Sequence, residues 1–126
     1  MEGLIVGMGY VYVDALIGPD LDHLHTVNFL VDTGSFFTLL TPSLAEEIGV
    51  ETFLRAPLML ADSSEVTIGE GLAYMRLLGR ESGVPIGILD VPVPLLGVSA
   101  LEVLGLKVNP RAGVLEFERP FGAAAL

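Results

Sequence analysis

One stretch constrains this chain more than any other: Phe29-Leu30-Val31-Asp32-Thr33-Gly34-Ser35-Phe36-Phe37. Apolar residues run into it and out of it, and a carboxylate sits between them. An ionised carboxylate is costly to bury unless something holds it. The neighbours are equipped to do so. Thr33 and Ser35 carry hydroxyl donors, and Gly34 allows a tight turn that brings an amide close to a partner. Two readings fit these residues taken alone. Asp-x-Gly is ordinary turn chemistry and would join two buried strands. Alternatively, the turn holds Asp32 as a reactive group.

The flanking sequence reads mainly as strands. Leu4 to Ile17 is extended, with Tyr10, Val11, Tyr12 and Val13 at its centre, and Gly18-Pro19-Asp20 turns the chain. Thr26 to Val31 is the strand that delivers Asp32, and Phe36 to Leu40 continues as a buried strand. Thr41 and Pro42 open a short helix that Gly49 closes. Leu58-Met59-Leu60 and Val66-Thr67-Ile68 flank a polar tip, Ala61-Asp62-Ser63-Ser64-Glu65, which predicts a hairpin. Tyr74 to Leu78 and Val84 to Leu89 read as two further strands joined by the turn Gly79 to Gly83. Leu95-Leu96-Gly97 then leads into a second short helix, with Ser99 as N-cap, Glu102 reaching back to complete a capping box, and Gly105 at its end. Val114 to Glu118 is a last strand with Leu115 and Phe117 on one face. The two halves echo each other: strand, tight turn, capped helix. The second half has Leu95-Leu96-Gly97 where the first has Asp32-Thr33-Gly34, and so lacks the carboxylate.

Composition narrows the function classes. A chain of 126 residues fits one domain, spanning 1–126 with 119–126 as a C-terminal tail. A net charge of −10 argues against a nucleic-acid partner, which needs a basic face. Hydrophobic residues at 52% are abundant for so small a chain and point to an apolar interface between subunits. With no cysteine there is neither a disulfide framework nor a thiol nucleophile, which fits a reducing, cytoplasmic compartment. No membrane span is expected, because the most apolar stretch, Ile86 to Val108, is broken by Asp90, Pro92, Pro94 and Glu102. Met1-Glu2-Gly3 lacks the basic start of a signal peptide. The absence of Gln and scarcity of Asn lean towards a thermophile. His23 and His25, with Asp20 and Asp22, form an H-x-H pattern, but no distant third ligand accompanies them, so no metal is expected. Gly7-Met8-Gly9 leads into more strand rather than a helix, so no phosphate loop and no cofactor are expected.

The order strand, Asp32-Thr33-Gly34-Ser35, strand, helix, hairpin, Leu95-Leu96-Gly97, helix resembles the retropepsin-like aspartic proteases, in particular the short single-domain prokaryotic members. The likeness extends from about Leu4 to Phe117. It implies an all-β, closed acid-protease barrel with one or two short helices. It further implies an aspartic endopeptidase that hydrolyses peptide bonds as a homodimer, with a peptide or protein substrate. By the same resemblance Asp32 is catalytic, Thr33 reaches across a two-fold axis, Gly34 brings amides to the carboxylate and Ser35 donates to its outer oxygen. Leu95, Leu96 and Gly97 pack under the catalytic loop, and the hairpin is a flap whose tip is Ala61, Asp62, Ser63 and Ser64. Leu4 to Val6 and Leu115 to Phe117 are the candidate dimerisation strands.

The chemistry agrees with the count of acids. Metal-free hydrolysis through an activated water needs one carboxylate ionised and one protonated, a split that two close like charges enforce on each other. One suitable Asp per chain therefore calls for two chains. Two departures from the family pattern stand out. Phe36 occupies a position usually acidic, and Val98 one usually Arg, so both halves of an ion pair are missing together. The flap tip also lacks glycine. Two rivals remain at this stage: a non-catalytic dimerisation or peptide-binding module on the same barrel, and a monomeric barrel in which Asp32 is a structural turn.

Overall fold

The computed structural model describes residues 10–120. Period-two alternation sets the strands, because successive side chains point to opposite faces. Nine strands and two helices follow in the order β1 (Tyr12–Gly18), β2 (His25–Asp32), β3 (Thr38–Leu40), α1 (Pro42–Ile48), β4 (Thr52–Met59), β5 (Glu65–Leu77), β6 (Arg80–Ile88), β7 (Leu95–Gly97), α2 (Val98–Leu104), β8 (Leu106–Asn109) and β9 (Val114–Phe117). On the inward face lie Ala15 and Ile17 of β1, Val27 and Phe29 of β2, Ala73 and Met75 of β5, and Val84 and Ile86 of β6, all buried. Leu40, Leu96 and the inner face of α2 join them in one continuous core.

Six strands close into a ring, β1-β2-β7-β3-β6-β5, because β5 pairs back onto β1 through Leu16–Arg76 to Gly18–Tyr74. Closure leaves those six strands no open edge. The short β7 lies parallel to β2 and antiparallel to β3. β4 stays outside the ring and pairs with β5 as a hairpin arm. The barrel and short helices expected from the sequence are therefore present.

Several boundaries differ from the sequence reading. The two strands expected around Val66–Ile68 and Tyr74–Leu78 are one, the 13-residue β5. Its interior Gly71 is a point of close approach, where a Cβ would come within 2.6 Å of the Glu51 carbonyl oxygen. The β5–β6 turn is tighter than expected and centres on Leu78 and Gly79, both at positive φ. Phe36 and Phe37 bend rather than extend, so β3 begins at Thr38. Residues 4–9 and 121–126, including the candidate strand Leu4 to Val6 and most of the expected tail, lie outside the described residues.

The helices split in the same way. α1 has the expected caps: the Leu44 amide donates to Thr41 Oγ1 at 3.2 Å, Pro42 opens the first turn and Gly49 closes the last. α2 begins two residues early, at Val98, with Gly97 as N-cap. Ser99 is not a cap. It is buried, and both its amide, at 3.1 Å, and its hydroxyl donate to the Phe36 carbonyl, while Glu102 is exposed. Beside it the Val98 amide donates to the Ser35 carbonyl at 2.7 Å and the Gly97 amide to Thr38 Oγ1 at 3.1 Å. These bonds sew the loop after Asp32 to the β7–α2 junction.

β8 and β9 form a separate two-stranded sheet. Leu115 packs against the core, but Phe117 does not follow it inward and is 57% exposed. The Arg80 guanidinium lies 4.2 Å from its ring centre instead. Arg80 also donates to the carbonyls of Leu104 and Gly105, at 2.8 and 3.1 Å, where a cation suits the end of α2.

Two substitutions test the sewn junction. A Cβ at Gly97 would sit 2.2 Å from the Phe37 carbonyl oxygen, a backbone atom with no room to yield. Gly97→Ala is expected to cost about 3 kcal/mol or more in chemical denaturation; a cost near zero would show that the junction is loose. Ser99→Ala removes one buried donor and is expected to cost about 1 kcal/mol, seen as a fall in melting temperature of roughly 4 °C.

Candidate active site

Asp32 ends β2 and lies half-buried, opposite Gly97 in the parallel register of β2 and β7. The next residues turn at once. The Gly34 amide donates to Asp32 Oδ1 at 2.9 Å, and the Ser35 amide to the Asp32 carbonyl at 3.1 Å. This is Asx-turn geometry, and it fixes the carboxylate while leaving its other oxygen available. Ser35 Oγ donates to the Phe37 carbonyl at 2.8 Å rather than to the carboxylate, because the bend at Phe36 brings that carbonyl within its reach. Thr33 is exposed and lines a depression with Val11, Val31, Val108 and Pro110, on the side of the β8–β9 hairpin.

Asp32, Gly34 and Ser35 border a cleft of about 440 Å³. Phe36 and Phe37 continue the wall from the loop after Asp32. Leu58, Met59, Leu60 and Ala61 overhang it from the β4–β5 hairpin, and Leu89, Val91 and Leu95 line it from the strand ends opposite. Asp32 is the one charged residue among its described lining. The cleft thus gathers Asp32, Gly34, Ser35, Ala61 and Leu95 from the residues singled out in the sequence. Leu96 is buried in the core and Gly97 is packed against Phe37, so both lie under the loop. Thr33, Asp62, Ser63 and Ser64 do not line the cleft. Met59, Leu89 and Val91 line it without having been marked. Their signal was weak: Leu89 and Val91 alternate around Asp90, a pattern shared with any strand end.

The hairpin tip is a closed turn. The Leu60 amide donates to the Ser64 carbonyl at 2.8 Å and the Ser63 amide to the Leu60 carbonyl at 2.9 Å. The Ser64 amide and hydroxyl both donate to Asp62 Oδ1, and these bonds, the hydroxyl foremost, hold the Asp62 carboxyl below its ordinary pKa. Ser63 takes positive φ, so it fills the left-handed position that a glycine would otherwise occupy.

His23 is paired with Asp20. Its Nδ1 lies 2.7 Å from Asp20 Oδ1 on an exposed loop. That hydrogen bond raises the His23 pKa and lowers that of Asp20. Among the described residues no group of three or more His, Cys, Asp or Glu could hold a metal ion. No described helix is long and apolar enough to cross a membrane.

Comparison with known proteins agrees with this geometry. A family model described as aspartyl protease matches residues 17–108. No curated protein sequence matches the chain. Among solved structures, the fold is similar to EIAV protease in complex with an inhibitor (TM-score 0.64, 20% identity, covering 79% of this chain and 92% of that one). It is similar as well to the retroviral protease-like domain of Ddi1 from Leishmania major (TM-score 0.63, 16% identity, covering 88% and 90%). A retropepsin-like aspartic protease from Rickettsia conorii also matches (TM-score 0.56, 21% identity, covering 79% and 76%). At these identities the structural likeness speaks for the fold, and the family model, matched over most of the chain, places the protein among the retropepsin-like aspartyl proteases.

Proposed function

We propose that the protein is an aspartic endopeptidase that works as a homodimer. The observation that carries the reading is the lone carboxylate. Asp32 is the one charged group in the described lining of a cleft that a hairpin overhangs. The place beside it on β7 is Gly97, so the chain offers no second acid there. A second copy related by a two-fold axis would bring its own Asp32. The two carboxylates would then share one proton: the ionised one draws a proton from water, and the protonated one polarises the peptide carbonyl. The Gly34 amide, already on one carboxylate oxygen, would hold the pair in orientation. Thr33, exposed on the flank of the loop, is placed to meet the partner chain.

The C-terminal hairpin is the surface we favour for dimer contact. A two-stranded sheet is marginal in water unless it is extended or packed. β8–β9 pairs with no strand of the barrel sheet; Leu106 and Leu115 pack on the core, while Val114 and Phe117 are exposed. Among the described residues no strand pairs with the outer edges of β8 and β9, and a second copy would extend the sheet there. A cysteine-free chain of this kind fits a reducing compartment such as the cytoplasm.

A non-catalytic peptide-binding module is the reading that the self-contained hairpin tip favours, since Ser63 and Ser64 amides are spent within the turn. One experiment separates the two. The unsubstituted protein should sediment as a dimer and cleave an unfolded protein at acidic to neutral pH. Asp32→Asn should leave the dimer intact and lower cleavage by at least about a thousandfold. Equal cleavage by the two proteins, or a monomer at every concentration, would overturn the protease reading. An intact dimer that cleaves nothing would establish the binding module.

A further inference from the structure

Phe36 is more than half exposed, at 56%, and stands in the wall of the Asp32 cleft. One exposed aromatic residue means little by itself. Here three further features set it apart. Its backbone is pinned, since its carbonyl receives both the amide and the hydroxyl of Ser99 and the carbonyl before it receives the Val98 amide. Its ring is braced, edge-on to Phe37 with centres 5.1 Å apart and planes at 87°. Opposite lies Met59, 66% exposed, an unbranched side chain that adapts to what it meets. A rigid aromatic surface loses little conformational entropy when it binds, which is what makes such a group an anchor for a ligand rather than a leftover of folding.

The chemistry of the cleft then selects the ligand. Asp32 is the one charge in its described lining, and no cation is present there to receive an acidic side chain. A polar side chain entering between Phe36, Met59 and Leu89 would lose water without gaining a partner. We infer that Phe36 is the residue that determines specificity, taking a large apolar side chain of an extended peptide beside Asp32. Ser99 acts at one remove, as the positioning residue that holds the Phe36 backbone. This inference rests on the cleft being a peptide site, the reading given above.

The test measures binding apart from cleavage. Fluorescent peptides of one frame, carrying Phe, Leu, Ala or Asn at each position in turn, are titrated against the Asp32→Asn protein by anisotropy. At one position Phe and Leu should bind about tenfold tighter than Ala or Asn, the discrimination an apolar pocket supplies. Adding Phe36→Ala should cut that ratio to about twofold or less, and Phe36→Leu should largely keep it. Phe36→Asn retains a side chain of some size without the apolar face and should lose the ratio as Phe36→Ala does. A ratio unchanged in both Phe36→Ala and Phe36→Asn overturns the inference, as does the lack of any ratio in the parent. If the preference appears while the unsubstituted protein cleaves none of these peptides, the protease reading fails and this one stands. If cleavage proceeds with a preference indifferent to Phe36, the reverse holds.

Discussion

The structure depends on a short seam of hydrogen bonds between the loop that follows Asp32 and the junction of β7 with α2. Thr38 and Ser99 are the two buried polar residues among the described ones, and both belong to this seam. A buried hydroxyl without a partner is costly, so each fixes the geometry around it. Thr38 receives the Gly97 amide, while Ser99 and the Val98 amide hold two consecutive carbonyls of the loop. The loop carbonyls therefore face the helix, and the Gly34 amide remains free to meet the Asp32 carboxylate. Where the family pattern has an ion pair, this chain uses neutral donors on carbonyls, at no cost in charge desolvation.

The closed ring decides what can move. Six strands are bonded on both sides, whereas β4 is bonded on one. The hairpin that overhangs Asp32 is thus the arm of the sheet with least holding it, and the loop after Asp32 is the part held most firmly. Rigid carboxylate and looser cover is the arrangement that a cleft admitting an extended peptide requires. Arg80 extends the rigid side by tying the β5–β6 turn to the end of α2 and to Phe117 of the last strand.

What was legible in the sequence, and what was not, divides along physical lines. The barrel, the flap-like hairpin and the Asp32 turn were legible because each rests on local signals: alternation, a polar tip between apolar arms, Asp-x-Gly. Ser99 was misread because its capping-box spacing is a local signal that a tertiary contact overrides; the Phe36 carbonyl, 63 residues away, claims its hydroxyl. β5 was read as two strands, and what makes it one is tertiary: pairing with β4 and β6 along its length and the approach of Glu51, just before β4, to Gly71. Phe36 was visible as a departure from a family pattern, yet its place in a cleft wall arises from a bend that the apolar run Phe36 to Leu40 hides.

The same seam limits what can stand beside Asp32. Gly97 lies opposite Asp32 in the register of β2 and β7, whereas in the internal echo it answers Gly34 and Leu95 answers Asp32. No side chain fits there, because a Cβ would stand 2.2 Å from the Phe37 carbonyl oxygen and 2.7 Å from that of Phe36. A side chain at position 97 would have to displace the loop that presents Asp32. The packing that positions Asp32 thereby keeps the place directly beside it on β7 free of any side chain, and the neighbouring inward position on β7 is held by the apolar Leu95, which lines the cleft.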